Sequence, residues 1–158
     1  MFKAMRRLDR QVSTDEAVKI LEKCEYGVLS VVNQENLPYG VPLSYVYQDG
    51  NIYFHSASEG YKLDSIAGNN NVSFCVVGRK QSIPEKFTTN YESVIVFGQA
   101  SQVDGQEKKE ALLALVAKYA PGHMESGKKY MDNSWNQTIV VKIAIRHMTG
   151  KARPQQGG

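Results

Sequence analysis

Cysteine is scarce in this chain, with two in 158 residues. Cys24 and Cys75 lie far apart and form no CxxC pair, so zinc binding has no support and no metal site is expected. Cys75 falls in the run Val72, Phe74, Val76, Val77 and reads as a buried small hydrophobe, as does Cys24 at the end of a helical pattern. No run approaches the roughly 18 apolar residues of a membrane span. Met1 to Arg10 is basic but has no apolar signal core, so a cytoplasmic location is expected. Net charge is only +3, and no dense basic module is present. Arg6, Arg7 and Arg10 at the start, with Lys151 and Arg153 near the end, read as solvated termini, which argues against nucleic-acid binding. There is no GxSxG, no P-loop and no GxGxxG. Hydrolase and nucleoside-triphosphatase readings therefore have little support. Internal repeats and a second domain are also missing.

The chain is long enough to bury a core without disulfides, and its apolar fraction of 42% is ordinary for a globular domain. Residues 1–150 are expected to form one domain and 151–158 a flexible tail rich in Pro, Gln and Gly. Ser13 and Glu16 have the spacing of a capping box, and Ala17, Ile20, Leu21 and Cys24 follow at helical spacing. Strands are expected over Tyr26–Val32, Pro38–Tyr47, Asn51–Ser56, Asn71–Val77, Tyr91–Val103 and Thr138–Ile145. Asp49-Gly50 marks a hairpin between the second and third. Gly98 marks a bulge or a close approach. Gly78–Thr89 reads as a polar loop. Short helices are expected over Gly60–Ala67 and about Glu107–Tyr119, while 123–135 is ambiguous. The pattern is mainly β: a six-stranded antiparallel barrel, closed or nearly so, with peripheral helices.

The segment Tyr53–Lys62 carries the chemistry. A strand runs into a small polar turn and then a helical pattern. That junction offers free backbone N–H groups, the hydroxyls of Ser56 and Ser58, the permissive backbone of Gly60 and the cation of Lys62, which together suit a phosphate. A lysine in a first helical turn opposes the helix dipole unless an anion lies between them. The bland alternative is a surface lysine before an ordinary helix. His55 shares a strand face with Tyr53. It reads either as a structural residue or as a group touching a ligand and donating a proton. His123 and His147 read as structural. Trp135, with Tyr130 and Met131 nearby, marks an interface or a lid on its own core.

Several segments carry a resemblance over nearly the whole chain. They are Met5-Arg6-Arg7-Leu8-Asp9-Arg10, Gly40-Val41-Pro42-Leu43-Ser44-Tyr45, Ile52-Tyr53-Phe54-His55-Ser56-Ala57 with Gly60-Tyr61-Lys62, Tyr91 to Gly98, and Met148-Thr149-Gly150-Lys151. In order and spacing they resemble the pyridoxamine-5′-phosphate-oxidase-like flavoproteins with the FMN-binding split barrel, nearest the subgroup of nitroimidazole-resistance proteins. The resemblance implies a homodimer with FMN between protomers. Lys62 and Ser56 would hold the phosphate beside the Ala57–Gly60 backbone. Val41, Pro42, Leu43 and Ser44 would line the flavin ring. His55 would sit beside it as the catalytic group, Tyr91 and Ser93 would lie close by, and Trp135 would reach across the dimer.

The basic C-terminal substrate segment of true pyridoxamine-phosphate oxidases is not found, which argues against vitamin B6 oxidation. The resemblance implies an oxidoreductase passing electrons from a reduced nicotinamide to a nitroaromatic or quinone. The alternatives are a flavin-binding storage or sensing module without turnover, and a barrel that serves a protein contact. Relatives of this size also include deazaflavin and haem binders.

Overall fold

The computed structural model describes residues 1–153. The expected flexible tail lies outside them from residue 154 onward. The elements run β1 (Gln11–Val12), α1 (Thr14–Lys23), β2 (Tyr26–Val32), β3 (Pro38–Ser44), β4 (Val46–Gln48), β5 (Asn51–Ala57), α2 (Tyr61–Gly68), β6 (Asn71–Ile83), β7 (Thr88–Val103), α3 (Gly105–Tyr119), α4 (Met124–Ser134) and β8 (Thr138–Ala152). All strands pair antiparallel in the order β3-β2-β6-β7-β8-β5-β4, with β1 also on β8. This is the split barrel. Among the described residues eight strands replace the expected six for local reasons: β1 is two residues long, and Pro38–Tyr47 breaks in two at Tyr45.

Helix α1 starts as its sequence dictates. The Ser13 hydroxyl accepts the Glu16 N–H at 3.2 Å, and Ala17, Ile20 and Leu21 turn into the core. At the tip between β4 and β5, Asp49 and Gly50 have φ of 50° and 81°, the left-handed pair that closes a two-residue hairpin. Gly98 is needed for both expected reasons. A Cβ there would meet the Ala144 carbonyl oxygen at 2.5 Å, and the β7–β8 register shifts between Phe97 and Gly98.

The barrel interior is filled by Leu29, Tyr45, Ile52, Phe54, Phe74, Val94, Val96 and Ile143, all fully buried. Each large side chain so buried contributes about 1.5–3 kcal/mol. A second cluster lies outside the barrel, where Val46, Tyr53 and Val140 pack against Ala111, Leu112 and Leu115 of α3 and Met131 of α4. The two clusters meet at the Tyr45 corner. Its hydroxyl donates to the Leu21 carbonyl. Lys118 of α3 donates to the Cys24 and Tyr45 carbonyls at 2.6 and 3.1 Å and lies 4.0 Å from the Tyr45 ring. Burial raises the Tyr45 phenol pKa and lowers that of the Lys118 ammonium.

Three expectations need correction. The stretch 78–89 is not a loop: β6 continues to Ile83 and β7 begins at Thr88, so they form a long arm turning at 84–87. Ladder hydrogen bonds, which polar residues satisfy as well as apolar ones, carry it. The last strand runs through Lys151 and Ala152 instead of stopping at Ile145, two residues past the expected domain limit, because β1 and β7 both pair with that end. Cys75 is half-buried and faces outward between Val28 and Ile95, since strand alternation gives the interior to Phe74 and Val76. Cys24 is buried as expected. Among the described residues, no helix is long and apolar enough to cross a membrane.

Candidate functional site

Strand β5 feeds the site from its C-terminal end. Period-2 alternation places Ile52 and Phe54 in the barrel and directs Tyr53 and His55 to the helical layer. Ser56 is buried, and its hydroxyl donates to the Ala57 carbonyl at 3.0 Å. Gly60 then adopts φ 152° with open space where a Cβ would stand. Among the described residues no side chain caps α2, so the first N–H groups of the helix are left without a side-chain acceptor there. Lys62 is its second residue, and among the described residues its ammonium makes no hydrogen bond or ion pair. Tyr61 fixes the helix start from the side. Its ring packs 4.5 Å from Tyr39, and its hydroxyl accepts from Asn33 at 2.7 Å.

An unpaired lysine, orphan amides and a glycine turn at one helix start fit a phosphate group, which would offset the Lys62 charge that the helix dipole opposes. His55 senses the same surplus of positive charge. Burial first, and the Lys62 charge second, hold its imidazole below the ordinary histidine range. At neutral pH it is uncharged.

Beyond His55 opens a cavity of about 630 Å³ between the sheet and α3–α4, lined mainly by apolar side chains. Ser44 and His55 lie on its strand side. Leu112, Leu115 and Tyr119 line it from α3, and Tyr130, Met131 and Ser134 from α4. Its size and apolar walls with a few polar groups suit a small aromatic ligand. The helix–helix contact beneath it is close: a Cβ on Gly127 would meet Val116 at 2.6 Å.

Of the residues singled out in the sequence, the fold brings together Ser44, His55, Ser56, Ala57, Gly60 and Lys62. Val41 and Leu43 turn inward and pack on the barrel core, while Pro42 and Ser44 point out from the edge strand β3. Tyr91 and Ser93 are elsewhere in the chain. Ser93 pairs with Lys151 and Ala57 with Thr138, opposite ends of the 15-residue β8. Trp135 is a lid on its own core. Its ring is half-buried against the second cluster, and Lys108 lies 4.2 Å above it and donates to its carbonyl at 2.9 Å.

The walls on α4 were missed because 123–135 gave no clear pattern. Met124, Gly127, Tyr130, Met131 and Ser134 do stand at helical spacing. His123 also lines the cavity, whereas His147 stacks on Phe2 at 4.7 Å on the outer sheet face. Among the described residues, no cluster of His, Cys, Asp or Glu could hold a metal.

Known structures share this architecture. A proposed 5-nitroimidazole antibiotic resistance protein of Bacteroides thetaiotaomicron superposes with a TM-score of 0.77 at 23% identity, covering 89% of this chain and 85% of that one. An FAD-binding protein of Mesorhizobium loti gives 0.65 at 23% identity, with 92% and 98% covered. An FAD- and haem-binding protein of Mycobacterium smegmatis gives 0.79 at 16% identity, with 94% and 74% covered. At these identities the likeness is one of fold. Compared by sequence with curated proteins, the chain matches none. The profile of one family, pyridoxamine 5′-phosphate oxidase, matches residues 13–152. The split barrel, its uncapped helix start and this match over most of the sequence agree: the chain belongs to the pyridoxamine 5′-phosphate oxidase family.

Proposed function

We propose that this protein binds FMN and is an oxidoreductase that passes electrons from a reduced nicotinamide to a small electron-poor acceptor, a nitroaromatic or a quinone. The observation that carries this is the start of α2: an uncapped helix, Gly60 at φ 152° and an unpaired Lys62, next to an apolar cavity edged by His55. Solved structures of this fold described as FAD-binding, and as a proposed 5-nitroimidazole resistance protein, support the ligand class and the acceptor class.

Lys62 and the α2 amides hold the phosphate, with Ser56 beside them. Pro42 and Ser44 present the edge of β3 to the ring. A bound flavin supplies the redox chemistry. The neutral His55 orients the acceptor by donating a hydrogen bond from its ring N–H, and it delivers that proton only as its other ring nitrogen takes one up from solvent. The cavity walls exclude water and select flat apolar molecules.

A homodimer completes the site. The outer sheet face supports it, since Val28, Ile95 and Phe97 are exposed on neighbouring strands with Cys75 half-buried among them. Such a contiguous apolar face suits a second copy. Tyr91 and Ser93 lie on that same face of β7, so a partner's pair can approach the cofactor where the chain's own pair cannot.

The test is an absorption spectrum of the purified protein, with the released ligand identified by mass. Flavin bands and an FMN mass support the reading. A colourless protein that takes up no added flavin overturns it. A bound flavin with no nicotinamide oxidation under any acceptor leaves a flavin-binding module without turnover.

A further inference from the structure

We propose that His123 is a second hydrogen-bond donor to the acceptor, and that with His55 it selects flat molecules carrying an oxygen at each end, the chemistry of a 1,4-quinone. The cavity lies between the sheet and α3–α4. His55 enters it from β5, and His123 from the turn at 121–123 that leads into α4. The two imidazoles therefore stand on different walls, one on the sheet and one on the helical layer. Neither makes a side-chain hydrogen bond or ion pair among the described residues.

The other polar groups on the walls are engaged or face water. The Ser126 hydroxyl donates to the His123 carbonyl at 3.2 Å, Ser134 to the Tyr130 carbonyl at 2.7 Å and Thr138 to the Ser134 carbonyl at 2.9 Å. Tyr119 turns its hydroxyl to the Tyr45 carbonyl at 2.7 Å, and Ser44 bonds to that same hydroxyl. Tyr130 is 76% exposed, so water meets its hydroxyl. No lining residue is an acid, a lysine or an arginine. A charged ligand finds no counter-ion among these walls, and placing an unpaired charge there is costly. What the cavity offers is an apolar surface and two ring N–H donors. An imidazole carries at least one N–H in either charge state, so each can donate to a neutral carbonyl oxygen.

Donors on separate walls discriminate between acceptors. A nitro group holds both oxygens on one nitrogen and engages one imidazole. A 1,4-quinone has carbonyls at opposite ends of a flat ring and engages both. Its reduction rests on the proposed function for the electrons, which come from the reduced nicotinamide. A hydride equivalent, two electrons and one proton, forms the O–H bond at the oxygen held by His55. The carbonyl π electrons shift through the ring to the far oxygen, whose O–H bond forms with the proton of the His123 N–H. His123 is exposed, so its other ring nitrogen takes a proton back from water. Quinone, hydride and one solvent proton thus give hydroquinone.

Tetramethyl-1,4-benzoquinone, which has no open ring position for thiol addition, and nitrobenzene are titrated into the intact protein by calorimetry, with no nicotinamide present. His55→Ala, His123→Ala and His123→Gln are compared, and thermal midpoints verify folding. In His123→Ala the quinone should bind about fivefold more weakly, the worth of one neutral hydrogen bond, and nitrobenzene should shift by less than about twofold. His123→Gln keeps an N–H and should restore most of the quinone affinity. His55→Ala should weaken both ligands. In turnover, the ratio of kcat/KM for the quinone over nitrobenzene should fall in His123→Ala while FMN affinity holds. A folded His123→Ala that loses neither ligand, or loses both alike, overturns the proposal, as does wild-type protein that binds no quinone. Binding is read without electron transfer, so a protein that oxidises no nicotinamide fails the proposed function and leaves the two-donor site standing. A flavoprotein that turns over with His123 indifferent fails this proposal alone.

Discussion

The two faces of β5 live in different environments. On one face Ile52 and Phe54 are sealed in the barrel at 0% exposure. On the other, Tyr53 is covered by α3 but His55, two residues on, reaches a cavity of about 630 Å³. The same strand therefore holds the fold together on one side and presents chemistry on the other. The barrel face is closed by side chains from many strands, whereas the outer face is covered by two helices that leave a gap. Stability and ligand binding can thus be perturbed separately.

The largest contrast should come from truncating one residue on each side. Phe54→Ala leaves a void that neighbouring strands cannot collapse into, at a cost of about 3–5 kcal/mol. Leu115→Ala borders an existing cavity and should fall at the low end of core truncations, about 2 kcal/mol. Urea midpoints check both, and equal losses would erase the distinction between the faces. Next, Lys62→Ala should weaken FMN binding more than tenfold, about 1.4 kcal/mol, without moving the urea midpoint. A titration with unchanged affinity removes Lys62 from the phosphate site. His55→Ala should spare FMN affinity and lower turnover, and unchanged turnover ends its catalytic role.

The smallest effect is on pH. The folded His55 pKa is depressed by burial and by Lys62, so the unfolded chain takes up its proton first as pH falls. Stability contributed at this position therefore drops as pH falls through about 6.5, the unfolded value, and levels off below the folded midpoint. Lys62→Gln removes the second cause and should raise the His55 midpoint in an NMR titration. An unmoved midpoint would leave burial as the whole cause.

Much of this was legible in local pattern. Asp49-Gly50, the Ser13 cap and the junction from Ser56 to Lys62 all depend on neighbours within a few residues, and the structure has each where the sequence puts it. What escaped depends on distant partners. The β6–β7 arm looked like a loop because its residues are polar, and only pairing with another strand makes polar residues a strand. Lys151 and Arg153 read as part of a solvated terminus, and the β7–β8 ladder brings both against Tyr91. Cys75 looked buried because apolar runs do not say which face is inside. Tyr119 and Tyr130 joined the site through the packing of α3 on α4, which a lone glycine, Gly127, permits.

Strand β8 bonds to β1, β5 and β7, and it follows all three in the chain. During synthesis β5, which ends at Ala57, and β7, which ends at Val103, must wait with open edges until β8 (Thr138–Ala152) has emerged. Strand order of this kind ties barrel closure to the emergence of β8, and non-local pairings close slowly. A ribosome-stalled chain lacking 138–152 should be sensitive to protease and prone to associate through those edges. Extension of the stalled chain past β8 should then bring cooperative folding in one step.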